Sequence, residues 1–309
     1  MPRRRRSGFA LITVLWILAA AAVAGIGSEL AIRDSVNGAR NRVHIERAAW
    51  RAHACLERAR AAIDDALQEG ERAGSREPVW RDIDHYLRAS PLLPTASCHV
   101  TLEAAGTRLD VNAATDAQLA ALFASMQMED PVTFTDRVLD WRDSDDAPRP
   151  FGAERGWYIT NDVPGVAPRN ARIEDIRELA IVGARVDIAQ LEHLLTVERG
   201  RISLNHAPAA ILAVLPGFTD ETVARVIQDR AHNRATTDLM ALAARLTPAA
   251  AERLLASIPQ LASTATTTPD AWLLRARGWS GEPAITAVLD ARLVLSNGRA
   301  ALQQVRRYW

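Results

Sequence analysis

The chain has 309 residues, 48% of them apolar, enough for two medium domains or one large one with a substantial core. Lysine plus arginine equal aspartate plus glutamate at 37 each. That zero net charge excludes a protein whose main task is to coat phosphates, so any nucleic-acid contact would have to be local.

The first predicted element is a membrane segment. Arg3, Arg4, Arg5 and Arg6 precede a stretch from Phe9 to Ser28 that carries no charge. At 1.5 Å per residue those roughly twenty residues reach about 30 Å, one hydrocarbon core. The arginines before the stretch and Glu29 after it place the N-terminus in the cytoplasm by the positive-inside bias. A cleaved secretory signal is the competing reading, because Ala22-Val23-Ala24 before Gly25 suits a signal peptidase. Against it, apolar or small residues recur at Ile32, Val36, Ala39 and Val43, then at Ala49, Ala52, Leu56, Ala59, Ile63 and Ala66. Steps of three and four predict one helix from about Phe9 to Leu67, apolar all round at first and amphipathic afterwards.

Gln68 to Glu77 is polar and reads as the helix end and a loop. Ala96, Cys98, Val100 and Leu102 alternate with polar residues, the period of a half-buried strand, and Arg108 to Val111 reads as its hairpin partner. From Asn112 to about Leu261 the pattern is helical and repeats: Val111-Asn112-Ala113-Ala114 lines up with Leu204-Asn205-His206-Ala207. Each leads to a helix ending in Asp140-Trp141-Arg142 or Gln228-Asp229-Arg230. Ser263 to Pro269 reads as a polar linker, and Trp272-Leu273-Leu274, Ala284 to Leu295 and Ala301 to Tyr308 read as strands returning to the first sheet.

The repeated units resemble helix-hairpin-helix modules, which raises DNA binding as an alternative. The second unit has Pro216-Gly217-Phe218-Thr219 where a phosphate-binding hairpin carries Gly-x-Gly, and Asp220 and Glu221 follow, which repel phosphate. The first has Met126-Gln127-Met128-Glu129-Asp130 there. Asp140, Asp143, Asp145 and Asp146, then Glu154, form the strongest polar constellation. Crowded carboxylates suit a hard, oxygen-seeking cation such as calcium; the bland alternative is a solvated loop offset by Arg142 and Arg149. No catalytic set occurs: the histidines lack zinc spacing, and there is no Gly-x-Ser-x-Gly elbow or phosphate loop.

A basic leader ending in Gly8, then Phe9-Ala10-Leu11-Ile12-Thr13-Val14-Leu15 opening a continuous helix, resembles the class III signal of type IV pilins and pseudopilins. The resemblance implies cleavage by prepilin peptidase after Gly8 and a methylated Phe9. Most members carry glutamate at the fifth mature position, where this chain has Thr13. With the large insertion, that departure resembles the type II secretion minor pseudopilins of the general secretion pathway protein K family. The implied fold is α+β: a long transmembrane and amphipathic helix with a pilin-like antiparallel sheet, interrupted by a mostly α-helical insertion of two helix-hairpin-helix-like (SAM-like) units. Residues 1–8 would be the leader, 9–28 the membrane part of helix 9–67, 68–111 with 263–309 a discontinuous pilin-like domain, and 112–262 the insertion, in units 112–199 and 200–262.

The implied function is a tip subunit that starts or caps a periplasmic pseudopilus, anchored in the inner membrane. Its implied partners are the minor pseudopilins I and J and other pseudopilins, with no nucleic acid and no small-molecule substrate. Asp-x-Asp followed by Gly-Ala-Glu resembles the family's calcium segment, making Asp143, Asp145 and Glu154 the first candidate ligands, Asp140 and Asp146 the next, with backbone carbonyls supplying the remainder. In a pilin fold the helix bearing Cys55 packs on the strand bearing Cys98, so an oxidising periplasm permits a disulfide; two buried free thiols are the alternative. The alternatives to this function are a DNA-binding protein of a competence apparatus and a minor type IV pilin.

Overall fold

The computed structural model describes residues 7–90, 95–161, 167–183 and 187–308. Helix α1 (Ser7–Arg72) runs 66 residues, about 100 Å at 1.5 Å per residue. Its first part is the one segment among the described residues long and apolar enough to cross a membrane. Ala48, Ala52, Cys55, Leu56, Ala59, Ile63 and Leu67 then form its buried stripe. Ile32, Val36 and Val43 remain exposed, because the sheet begins only at the level of His44, whose ring meets Ser280. The segment after α1 is more than the predicted loop: α2 (Glu77–Arg81) and α3 (Ile83–Ala89) fold back and bury Trp80, Ile83 and Leu87.

Strand β1 (Cys98–Ala104) enters the sheet, and the chain then leaves it for the insertion. Short strand β2 (Leu109–Asp110) opens a first unit containing α4 (Asp116–Ser125), α5 (Pro131–Arg142), α6 (Arg155–Thr160), a 3-10 turn at Ile176–Glu178, α7 (Leu179–Val182), α8 (Ile188–Leu194) and β3 (Leu195–Thr196). Strand β4 (Ile202–Ser203) opens a second with α9 (Ala209–Ala213), α10 (Asp220–Ala231), α11 (Leu239–Ala243), α12 (Pro248–Ala256), α13 (Ile258–Thr264) and β5 (Ala265–Thr266). The chain returns through β6 (Trp272–Ser280), β7 (Ile285–Ser296) and β8 (Arg299–Tyr308).

The main sheet has order β1-β6-β7-β8 and is antiparallel throughout, with Cys98 opposite Gly278 and Ala104 opposite Trp272. Leu274, Ala276, Leu289, Ala291 and Leu293 alternate inward onto α1. At Gly278 a side chain would collide with the α1 backbone at Ala48 and Ala52, so glycine facing alanine lets strand and helix touch.

Two expectations are corrected. Arg108 to Val111 is not the hairpin partner of β1; β2 pairs in parallel with β3, and β6 takes the place beside β1. Ser263 to Pro269 is no slack linker, since it finishes α13 and supplies β5, which pairs in parallel with β4. Alternation and polarity report local period, and neither says which distant segment a strand will meet.

The insertion has its own continuous core, from Leu109 through Phe123, Leu139, Leu191, Ile211 and Leu254 to Ala265, separate from the cluster between α1 and the sheet. A tryptophan pair links the two bodies: the Trp80 Nε1–H donates to the Pro269 carbonyl at 2.8 Å and the Trp272 Nε1–H to the Trp80 carbonyl at 3.0 Å. His206 stacks edge-on against Trp272, and its burial pushes its pKa down to about 4.

Candidate functional site

Both inserted units are built on one hydrogen-bond plan. In the first, Arg142 at the end of α5 donates to the carbonyls of Val111 and Ala114, and Asn112 exchanges bonds with the Ile173 backbone at 2.8 and 3.0 Å. In the second, Arg230 at the end of α10 donates to the carbonyls of Leu204 and Ala207, and Asn205 bonds the Thr236 backbone at 2.8 and 2.9 Å and the Thr267 carbonyl. The aligned positions therefore perform matching tasks: the asparagine ties the unit's entry to its far side, and the arginine holds the turn before the next helix. Burial lowers the pKa of both arginines, Arg230 to about 10. Arg142 is thus turned into the fold, and it offsets the acidic loop only at a distance, through its charge on Asp143.

That loop begins on α5. Asp130 caps the helix by accepting from the Thr133 amide, and Phe134, Val138, Leu139 and Trp141 face the core. Asp140 is fully buried at 0% exposure, accepts from the Arg149 amide at 3.2 Å, and has the Arg149 guanidinium 3.8 Å away. Asp143 leaves Oδ1 buried without a partner. Asp145 accepts from the Ala147 amide at 2.9 Å, and Asp146 from the Asn170 side chain at 2.8 Å. Glu154 sits at the start of α6, is 6% exposed, and has neither carboxylate oxygen bonded. Its burial, and then the charges of Asp140, Asp143, Asp146 and Asp145, push its pKa up to about 7. The Tyr158 hydroxyl is likewise buried and without a partner.

The structure therefore brings the five named carboxylates into one electrostatic neighbourhood, yet among the described residues no three acidic, histidine or cysteine side chains close around a common point. The orphaned acceptors fit a hard cation; any such site needs neutral oxygens in its shell.

The other named residues lie elsewhere. Gly8 and Phe9 are in the first turns of α1, the leader residues 1–6 fall outside the described residues, and Thr13 is on an exposed part of the helix. Cys55 on α1 and Cys98 at the head of β1 are joined by a disulfide with Cα atoms 6.3 Å apart. Gly217 has φ +73 and packs so closely on α12 that a side chain there would meet the Arg253 carbonyl. Thr219 Oγ1 accepts from the Thr222 amide at 3.2 Å, and Glu221 binds Thr247. The helix start that a phosphate would need is occupied by the protein's own side chains. Asn170 and Tyr158 were invisible as site residues, because a lone asparagine in a loop and a tyrosine in an apolar run carry no spacing signal.

Residues 100–197, from β1 to the end of the first inserted unit, match the family described as Type II secretion system (T2SS), protein K. The type II secretion system protein K of Pseudomonas aeruginosa is 28% identical over 253 residues, covering 72% of each chain. A chain in the crystal structure of the GspK-GspI-GspJ complex from the enterotoxigenic Escherichia coli type 2 secretion system shares the fold, with a TM-score of 0.51, 17% identity, and coverage of 70% of this chain and 82% of that one. With the long apolar helix, the antiparallel sheet and the inserted helical body all in place, the chain is similar to type II secretion system protein K in its sequence and in its fold.

Proposed function

We propose that the chain is a minor pseudopilin at the tip of the periplasmic pseudopilus, where it starts or caps the fibre. The observation that carries this reading is where the insertion leaves the fold. Gly278, at the far end of β6, lies on Ala48 and Ala52, whereas Trp272, at its start, lies beside Trp80, beyond the C-terminal end of α1. The insertion therefore projects from the pole of α1 farthest from its membrane segment, where a further subunit would have to stack. Thr13 agrees: a subunit with nothing above it has no buried amine to neutralise, and a carboxylate there would be costly. The exposed Val36, Val43 and Trp50 on α1 supply a face for neighbouring helices lower in the fibre.

The partners this reading implies are the minor pseudopilins I and J, which assemble with the protein K of the crystallised complex. Mixing the periplasmic part with candidate I and J subunits should give a stoichiometric complex by size exclusion with light scattering. Persistent monomers would sink the tip assignment. The same reading has prepilin peptidase cut after Gly8, leaving the protein in the inner membrane with its bulk in the periplasm. N-terminal sequencing should then begin at Phe9, and a start at Gly25 would mean a cleaved secretory signal instead.

Calcium belongs to the proposal. Asp143, Asp145 and Glu154, with Asp140 and Asp146 behind them, would hold it, and the ion would supply the positive charge that the loop lacks. An ion that binds only the folded state stabilises by RT ln(1 + [L]/Kd), about 2.7 kcal/mol at a hundred times Kd. Melting should therefore rise in calcium and fall back in chelator, and Asp143→Asn with Asp145→Asn should remove the difference. Identical wild-type melting in both solutions would leave the loop as a solvated acidic face.

A further inference from the structure

We propose that the insertion is a hinged body, rooted where the chain leaves and re-enters the sheet and clipped onto the outer face of the sheet by Glu198, through Arg292 and Arg306. The root is tight. A side chain at Gly106 would meet the Arg201 carbonyl, Arg201 holds Asp270 with both its amide and its guanidinium, and the Trp80–Trp272 pair is buried nearby. Beyond the root the two bodies part. A cleft of about 860 Å³ separates the outer face of the sheet, at Thr101, Arg275 and Asp290, from the first unit, at Ile176, Ala189 and His193. The two apolar cores stay separate, so no shared packing fixes the width of that cleft.

Glu198 sits in the turn between the two units, its carboxylate 3.9 Å from Arg292 on β7 and 3.5 Å from Arg306 on β8. Arg292 is on the outer face because its neighbours Ala291 and Leu293 point inward onto α1. Arg306 gets there through an irregularity. Gln303 pairs with Arg292 and Arg306 with Asp290, so three steps of β8 match two of β7. The extra residue makes a β-bulge at Gln304, whose φ of +52 is unfavourable for a residue with a side chain. In an unbroken register Val305 would stand opposite Asp290, and Arg306 would point inward opposite Leu289. The bulge therefore turns Arg306 outward to Glu198 and Arg307 inward to Glu46 on α1, 3.0 Å away. The unfavourable backbone persists at the one place where it steers both arginines to carboxylates. The Glu198 pairs are longer than charge-assisted hydrogen bonds, and Arg306 is 58% exposed, so the clip is weak and salt-sensitive. It holds the insertion without locking it.

Spin labels at Thr101→Cys and His193→Cys, on opposite walls of the cleft, read its width by pulsed dipolar spectroscopy on the full chain in detergent. The two native cysteines are buried in their disulfide and take no label. In low salt the otherwise unaltered chain should give one narrow distance distribution. Glu198→Gln should raise the population of wider clefts about twofold to fivefold, the effect of losing a partly exposed ion pair. Salt at about 1 M, where charges are screened beyond roughly 3 Å, should do the same to the unaltered chain and add little to the variant. Deleting Gln304 restores the register, turns Arg306 away from Glu198 and should widen the cleft as Glu198→Gln does, whereas Gln304→Gly should keep both bulge and width. A distribution that neither Glu198→Gln nor salt changes overturns the proposal. So does a cleft that deletion of Gln304 leaves closed.

Discussion

Breaking the Cys55–Cys98 bond should cost the α1-and-sheet body about 4 kcal/mol, the loop-closure entropy released by freeing a cross-link that spans 43 positions. Both cysteines are buried, at 0% and 2% exposure, inside the cluster that joins α1 to the sheet. The bond therefore ties the helix to the first strand, across the loop that holds α2 and α3. Denaturant unfolding of the oxidised and the fully reduced chain, followed through buried Trp80 and Trp272, reads the difference directly. Equal midpoints would show that the denatured chain gains no freedom when the bond opens. The inserted units, which contain neither cysteine, should unfold at nearly the same denaturant concentration in both forms.

Arg142→Met should destabilise the first inserted unit by about 2–5 kcal/mol, because two buried carbonyls each lose a charge-assisted donor. The acceptors are the carbonyls of Val111 and Ala114, both within the core of the first unit. Arg230→Met should cost the second unit a similar amount through Leu204 and Ala207. Lysine at either position should recover only part of the loss, since a single ammonium on a flexible stem matches two carbonyls poorly. Unfolding followed at Trp141 tests the first pair. A change below about 0.5 kcal/mol, the ordinary scatter for surface substitutions, would mean that the repeated arginine is incidental.

The parts of this fold that were legible in the sequence are those with a local period. The stripe Ala52, Leu56, Ala59 and Ile63 announces α1, and the C-terminal strands follow from alternation and glycine turns. The alignment of Asn112 with Asn205 was visible because both side chains solve the same problem, pinning a unit's entry to its far side. Short elements were missed. Helix α2 spans five residues with Pro78 in its first turn, and its stability comes from Trp80 binding Pro269, a partner far along the chain. Likewise β2 is two residues long and is a strand only because β3 lies beside it. The acidic loop was readable as a concentration of charge. Its orphaned oxygens and the arrival of Asn170 were not, since both are facts of tertiary contact.

The exit and return of the insertion have a consequence for how the chain can fold. The Ala105 amide donates to the Ala271 carbonyl at 2.9 Å, and the Ser203 amide to the Gly106 carbonyl at 2.9 Å, so the insertion leaves and re-enters the sheet at one point. With the intervening segment unstructured, bringing β1 to β6 would close a loop of roughly 165 residues at an entropic cost of about 4–5 kcal/mol. A folded insertion delivers Gly106 and Asp270 already side by side, both held by Arg201 and its neighbours. It then acts as a long but rigid turn, and the β1–β6 pair becomes a kinetically local hairpin. Closing the sheet therefore costs less entropy once the helical body has folded.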